Sequence, residues 1–150
     1  MLMEGKFTLK ATLQKVWDTL LEAETLLSCI PGAEKIERID ERTYDSVIKQ
    51  KVGPISVRFK IKSTLTKIDP PRHLEVEGVG EDIGKAGHFM QKSVVDLREI
   101  SGGEVEVSYR TDATIVGKLA MFGDRIMRVK ARKVEEEFTQ ALHEKLKTTG

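Results

Sequence analysis

The chain has 150 residues, with 25 Lys and Arg against 24 Asp and Glu, three His and a single Cys. That length is one domain, 1–150, able to bury roughly 70% of its unfolded surface without staples; the near balance of charge supplies no field for nucleic acid, and a lone Cys29 forbids an internal disulfide. Met1–Lys10 lacks the apolar stretch of a secretory signal, and the longest charge-free segment, Thr25–Ala33, is far short of a bilayer span of roughly 20 residues, so a reducing cytoplasm is the expected compartment.

Phe7 and Leu9 alternate with Lys6, Thr8 and Lys10, which predicts a half-buried strand. Thr12 is placed to cap a helix whose apolar face carries Leu13, Val16, Trp17, Leu20 and Leu21, and a second helical piece over Glu24–Cys29 has to stop at Pro31-Gly32. Two strand-type runs, Ala33–Asp40 and Thr43–Val52, flank a polar Glu41-Arg42 turn, and Gly53-Pro54 breaks the chain again. The next run is the clearest. Ile55, Val57, Phe59, Ile61, Ser63 and Leu65 share one face and Ser56, Arg58, Lys60, Lys62, Thr64 and Thr66 the other, as in a sheet wet on one side.

After Asp69-Pro70-Pro71, His73–Glu81 repeats the alternation and ends among Gly78, Gly80, Gly84 and Gly87, which predict bends. Phe89–Ile100 is a sixth strand; past the Ser101-Gly102-Gly103 turn, Val105, Val107, Tyr109, Thr111, Ala113 and Ile115 mark a seventh. From about Lys118 the chain reads as helix, its stripe of Gly123, Met127, Ala131, Val134, Phe138, Ala141 and Leu142 spaced to lie on a sheet. One strand, two short helices, six strands and a long helix make an α+β domain with an antiparallel sheet. A sheet bent at glycines and gripped by a helix with small residues at 123, 131 and 141 either packs tightly or leaves a cavity.

The chemistry-bearing residues are sparse. Cys29, before a Pro-Gly stop and without a neighbouring cation, reads as a small buried hydrophobe. His73, His88 and His143 are too scattered for a metal motif, and the glycines at 78, 80 and 84 lead into a strand rather than a phosphate-binding helix, so no metal, nucleotide or catalytic residue is assigned. His88 faces either solvent or the cavity. The segment GKLAMFGDRI (117–126) brackets Leu119, Met121 and Phe122 between two glycines: they form an adjustable gate, or Leu119 and Phe122 pack on the sheet edge. Behind it, residues 124–134 carry a net charge of +4 through Arg125, Arg128, Lys130, Arg132 and Lys133 against Asp124, a solvated helix face or a surface for anionic lipid.

Taken in order, Gly5 and Phe7, Val16-Trp17 with Leu20, Cys29-Ile30-Pro31-Gly32, Val52-Gly53-Pro54 with Phe59, Asp69-Pro70-Pro71, Gly78 and Gly80, and Gly117-Lys118-Leu119-Ala120 with Gly123 resemble the carbon monoxide dehydrogenase G-subunit family of the START-like, or helix-grip, superfamily. The resemblance covers nearly the whole chain. It implies seven antiparallel strands wrapped around the long helix, an apolar cavity between them, and a role beside molybdenum-containing carbon monoxide dehydrogenases: recruiting such an enzyme to the membrane, or carrying a lipophilic quinone. Ile61, where relatives tend to have glycine, and Phe138-Thr139, where they often have paired phenylalanines, depart from the pattern.

The expectation is thus a non-catalytic binder of a quinone or lipid, an accessory to a molybdenum hydroxylase, with no other cofactor. A protein–protein accessory without a ligand, or an enzyme using His88, Tyr44, Tyr109 and Asp112, are the competing readings. Candidate ligand contacts are Trp17, Phe59, Ile61 and Val76 from the first half of the chain, His88, Met90 and Tyr109 from the last strands, and Leu119, Phe122, Met127 and Phe138 from the C-terminal segment. Peripheral membrane or partner contact falls to Leu119, Met121, Phe122, Arg125, Arg128 and Arg132.

Overall fold

A computed structural model of the chain describes residues 1–149, with side chains through Lys147. Seven strands, β1 (Leu2–Leu9), β2 (Ala33–Arg38), β3 (Thr43–Val52), β4 (Ile55–Asp69), β5 (His73–Asp82), β6 (Gly87–Ser101) and β7 (Glu104–Gly117), form one antiparallel sheet in the order β1-β7-β6-β5-β4-β3-β2. Helices α1 (Leu13–Leu21) and α2 (Ala23–Cys29) carry the chain from one sheet edge to the other; β7 leads through a 3₁₀ turn (Lys118–Phe122) into α3 (Gly123–Thr149). This is the α+β, helix-grip arrangement of a sheet around one long helix.

Local chemistry sets the boundaries. The Thr12 hydroxyl accepts the Lys15 amide at 3.2 Å and starts α1. The first hairpin closes earlier than the strand pattern predicts, at Arg38, because Ile39 bonds across to Thr43 and the Asp40 carboxylate accepts the Arg42 amide. The C-terminal helix, expected from about Lys118, starts later: Gly123, at its first position, has φ +76°, which the helix cannot continue back through, so 118–122 form a separate 3₁₀ turn. Gly117 serves a different need, since a Cβ there would lie 2.7 Å from the Cα of Gly87 where β6 and β7 meet.

Antiparallel register arranges the α3-facing side chains in rows. One row runs Tyr44, Ser63, Gly78, Gln91, Ala113 across β3 to β7. On one side of it lies Ser46, Ile61, Gly80, Phe89, Ile115, and on the other Leu65, Val76, Ser93, Thr111, Met3. The rows matter because the core is divided along them. One cluster joins Leu9, Leu13, Val16 and Trp17 of the first strand and helix to Leu65, Leu74, Leu97, Val105 and Val107 of the sheet and Leu142 and Leu146 of α3. A second, at the other end of the sheet, is built on Val52, Val57 and Leu119, with Phe59, Ile115, Phe122 and Met127 packed around them.

Candidate ligand-binding site

Between the two clusters lies a gap in the core, a set of residues that join neither. Past Tyr44 the middle row offers only Ser63, Gly78, Gln91 and Ala113, and on α3 the half-buried residues outside both clusters include Ala131 and Val134. Ile61, Ala113, Ala131 and Val134 are half-buried and belong to neither cluster. The helix makes its closest backbone approaches to α2, the 3₁₀ turn, β1 and β3. Well-packed interiors leave few voids larger than a water molecule, and the half-buried residues of this gap lack the enclosure of the two clusters. A recess of about 220 Å³ between β7 and the start of α3 shares Ala113 with it and is bounded by Ile115, Ala120, Gly123 and Met127.

The gap has an aromatic end. Phe89 lies on Gly80, where a Cβ would sit 2.3 Å from its ring, and meets Phe59 edge to face at 5.0 Å and 87°. Beyond them, buried Asp82 accepts the amides of Arg58 and Ala86, each at 2.8 Å. Burial pushes this carboxyl up, but the amides of Ala86, Arg58 and Gly84 together outweigh it and hold the pKa below the ordinary carboxylate value. The turn so fixed presents the Ala86 carbonyl to the amide of Leu119, at 3.2 Å. Leu119 is fully buried.

Along the opposite wall, α3 is tied to the edge strand. Arg128 donates to the carbonyl of Leu2, and Arg132 to that of Glu4 at 3.1 Å, to Glu135 at 3.0 Å and to the Tyr109 hydroxyl at 3.4 Å. The Tyr109 ring covers Gly5, where a Cβ would be 2.7 Å from its oxygen. Burial first, and the Glu135 carboxylate that accepts its proton second, raise the Tyr109 phenol far above its ordinary pKa. It stays neutral and engaged. Arg132 and Glu135 form an i,i+3 ion pair along the helix.

These placements sort the sequence candidates. Phe59, Ile61, Val76, Met127 and Phe138 face the gap or its two ends, half-buried. Trp17 is 5% exposed inside the first cluster, a core anchor. His88 and Met90 are corrected: Phe89 pairs with Gly80 and faces α3, so its neighbours in the strand point to the outer face, where both are exposed. The gate is corrected too, because Leu119 is locked in the second cluster and Phe122 packs 3.3 Å from the Cβ position of Gly53, leaving only Met121 outward, 85% exposed. In the docking set, Leu119 is buried and Arg128 and Arg132 are engaged with β1, so Arg125 and Met121 remain, joined by Ile126 and Val129, which the sequence reading passed over. The four groups required by an enzyme reading are separated: His88 and Asp112 lie outside, Tyr44 is buried and donates to the Leu21 carbonyl, and Tyr109 is held by Glu135. Gln91, Phe89 and Ala113 were missed as gap residues, although their alternation with Lys92, Asp112 and other charged residues carries the signal.

Solved structures share the architecture. A conserved protein from Geobacillus kaustophilus superposes with a TM-score of 0.92 at 24% identity, covering 99% of this chain and 97% of that one. A START superfamily protein from Mycobacterium smegmatis follows at 0.75 and 8%, covering 99% of each. The Zhui aromatase/cyclase from Streptomyces sp. R1128 gives 0.71 and 12%, covering 97% and 92%. Identities this low establish the START-type fold and nothing more. No curated protein matches the chain. The family model for the carbon monoxide dehydrogenase G subunit (CoxG) matches residues 5–147, and the chain belongs to that family.

Proposed function

We propose that this protein is a non-catalytic carrier for a lipophilic molecule, a quinone or a lipid, serving as accessory to a molybdenum-containing carbon monoxide dehydrogenase-type enzyme. The observation that carries the ligand is the divided core, with Ile61, Ala113, Ala131 and Val134 half-exposed between two packed ends; the enzyme partner rests on the family name. Burying about 400 Å² of apolar ligand surface gains about 10 kcal/mol at about 25 cal/mol per Å², against an association cost of at least about 4 kcal/mol, so affinity needs no ionised side chain. Solvent extraction of the purified protein followed by mass spectrometry is expected to release a prenylated quinone or a lipid. Recovery of no lipophilic species, together with no saturable uptake of added quinone, would count against the carrier.

Membrane contact is a second reading, favoured by one surface. Ile126 and Val129 are exposed with Arg125 and Lys133 on one side of α3, and Met121 is exposed in the turn that precedes it. No helix among the described residues is long and apolar enough to cross a membrane. Each basic residue near an anionic surface contributes about 1 kcal/mol, screened within a Debye length. The protein is expected to float with phosphatidylcholine vesicles containing phosphatidylglycerol at low salt and to detach as salt is raised. Absence of flotation even at low ionic strength removes this reading.

A further inference from the structure

We propose that Gln91 reads an oxygen atom of the molecule held in the gap, so that the site takes apolar molecules bearing a carbonyl or hydroxyl in preference to plain hydrocarbons. The inference rests on the carrier reading above and gives its ligand a chemical class.

Gln91 stands in the middle row, facing α3, between the two core clusters. Its side chain lies over Gly78: a Cβ there would be 3.1 Å from Cγ and 3.3 Å from Nε2, so the glycine leaves the room in which the amide rests. The neighbouring polar groups are spent. Ser93 and Thr111, one row away, bond each other at 2.9 Å, and the Tyr109 hydroxyl is held by Glu135 and Arg132. The free hydroxyl nearest along the row, Ser63, is two strands off, roughly 10 Å by strand spacing.

Among the described residues the half-buried Gln91 amide has no side-chain or backbone partner. Water can serve it while the gap is open. An apolar molecule entering the gap cuts that water off, and an amide left without a partner opposes binding. A ligand oxygen removes the penalty, because the amide donates to a carbonyl or, turned over, accepts from a hydroxyl. The apolar walls of Ile61, Ala113 and Val134 hold the remainder of the molecule whichever oxygen it carries.

Duroquinone and durene test this, since they share a shape and differ by the two carbonyl oxygens, and the fully substituted quinone ring has no unsubstituted carbon for the Cys29 thiol to add to. Titrations of the full chain followed by NMR should show duroquinone binding about tenfold more tightly than durene, with the Gln91 side-chain amide resonances moving only for the quinone. Gln91→Leu, similar in volume, should erase the preference, tightening durene by removing the unpartnered amide and depriving duroquinone of its donor. Equal affinities in the native protein, or a preference that survives in Gln91→Leu, overturn the role of Gln91 and leave the carrier standing. If neither compound binds, the carrier reading falls and this inference with it. Should Gln91→Leu fail to fold, the native amide resonances decide: unmoved at saturating duroquinone, they overturn the proposal.

Discussion

Replacing Leu119 with alanine is expected to lower the unfolding free energy by about 2–5 kcal/mol, the cost of a large-to-small change in a core that cannot collapse around the loss. Leu119 is fully buried, and with Val52 and Val57 it forms the enclosed centre around which the second cluster is built. Its backbone is also fixed, by the hydrogen bond its amide donates to the Ala86 carbonyl on the turn that Asp82 holds. Such a loss is a large share of the roughly 5–15 kcal/mol that stabilises a domain. Denaturant unfolding measures it, and hydrogen exchange should locate it, with protection lost around 52–59 and 115–122 before the cluster at Leu9 and Trp17 opens. A shift below about 1 kcal/mol would mean that the 118–122 turn is loosely seated. That outcome would restore the gate that the buried Leu119 argues against.

Periodicity carried most of the fold. The alternation of Ile55 to Leu65, and of Val105 to Ile115, assigned the inner face of β4 and β7 correctly because each strand has charged or polar residues on the other parity. β6 holds the same information: Lys92, Asp96 and Arg98 share a parity with His88 and Met90, which puts those two outside and Phe89 and Gln91 inside. A histidine and a methionine beside glycines invite a site reading that the strand's own parity excludes. Other features were not legible from one sequence. That Arg128 and Arg132 reach carbonyls of β1 depends on an edge strand more than a hundred residues away, and nothing local distinguishes such an arginine from a solvated one. Asp82 reads as an ordinary charged residue at a strand end until the turn folds back and supplies amides to it. The split of the core is a property of three strand registers together, and no single segment displays it.

Filling the gap separates an unfilled space from a merely thin core. Ala131→Phe places a ring on the half-buried side of α3 that Ala131 shares with Val134. In a closed interior that insertion forces neighbours off their rotamers and costs about 1–3 kcal/mol. In a gap it meets open volume: burying the ring recovers up to roughly 1.5–3 kcal/mol, against less than about 0.7 kcal/mol of lost helix propensity. The expected result is therefore a protein whose denaturation midpoint is unchanged or raised and whose uptake of duroquinone falls at least tenfold. The two readouts move in opposite senses only if the volume exists and the ligand occupies it. A destabilised variant that still binds would place the ligand elsewhere and reduce the space under Ala131 to ordinary packing, because the same ring cannot both crowd the core and leave a bound molecule undisturbed.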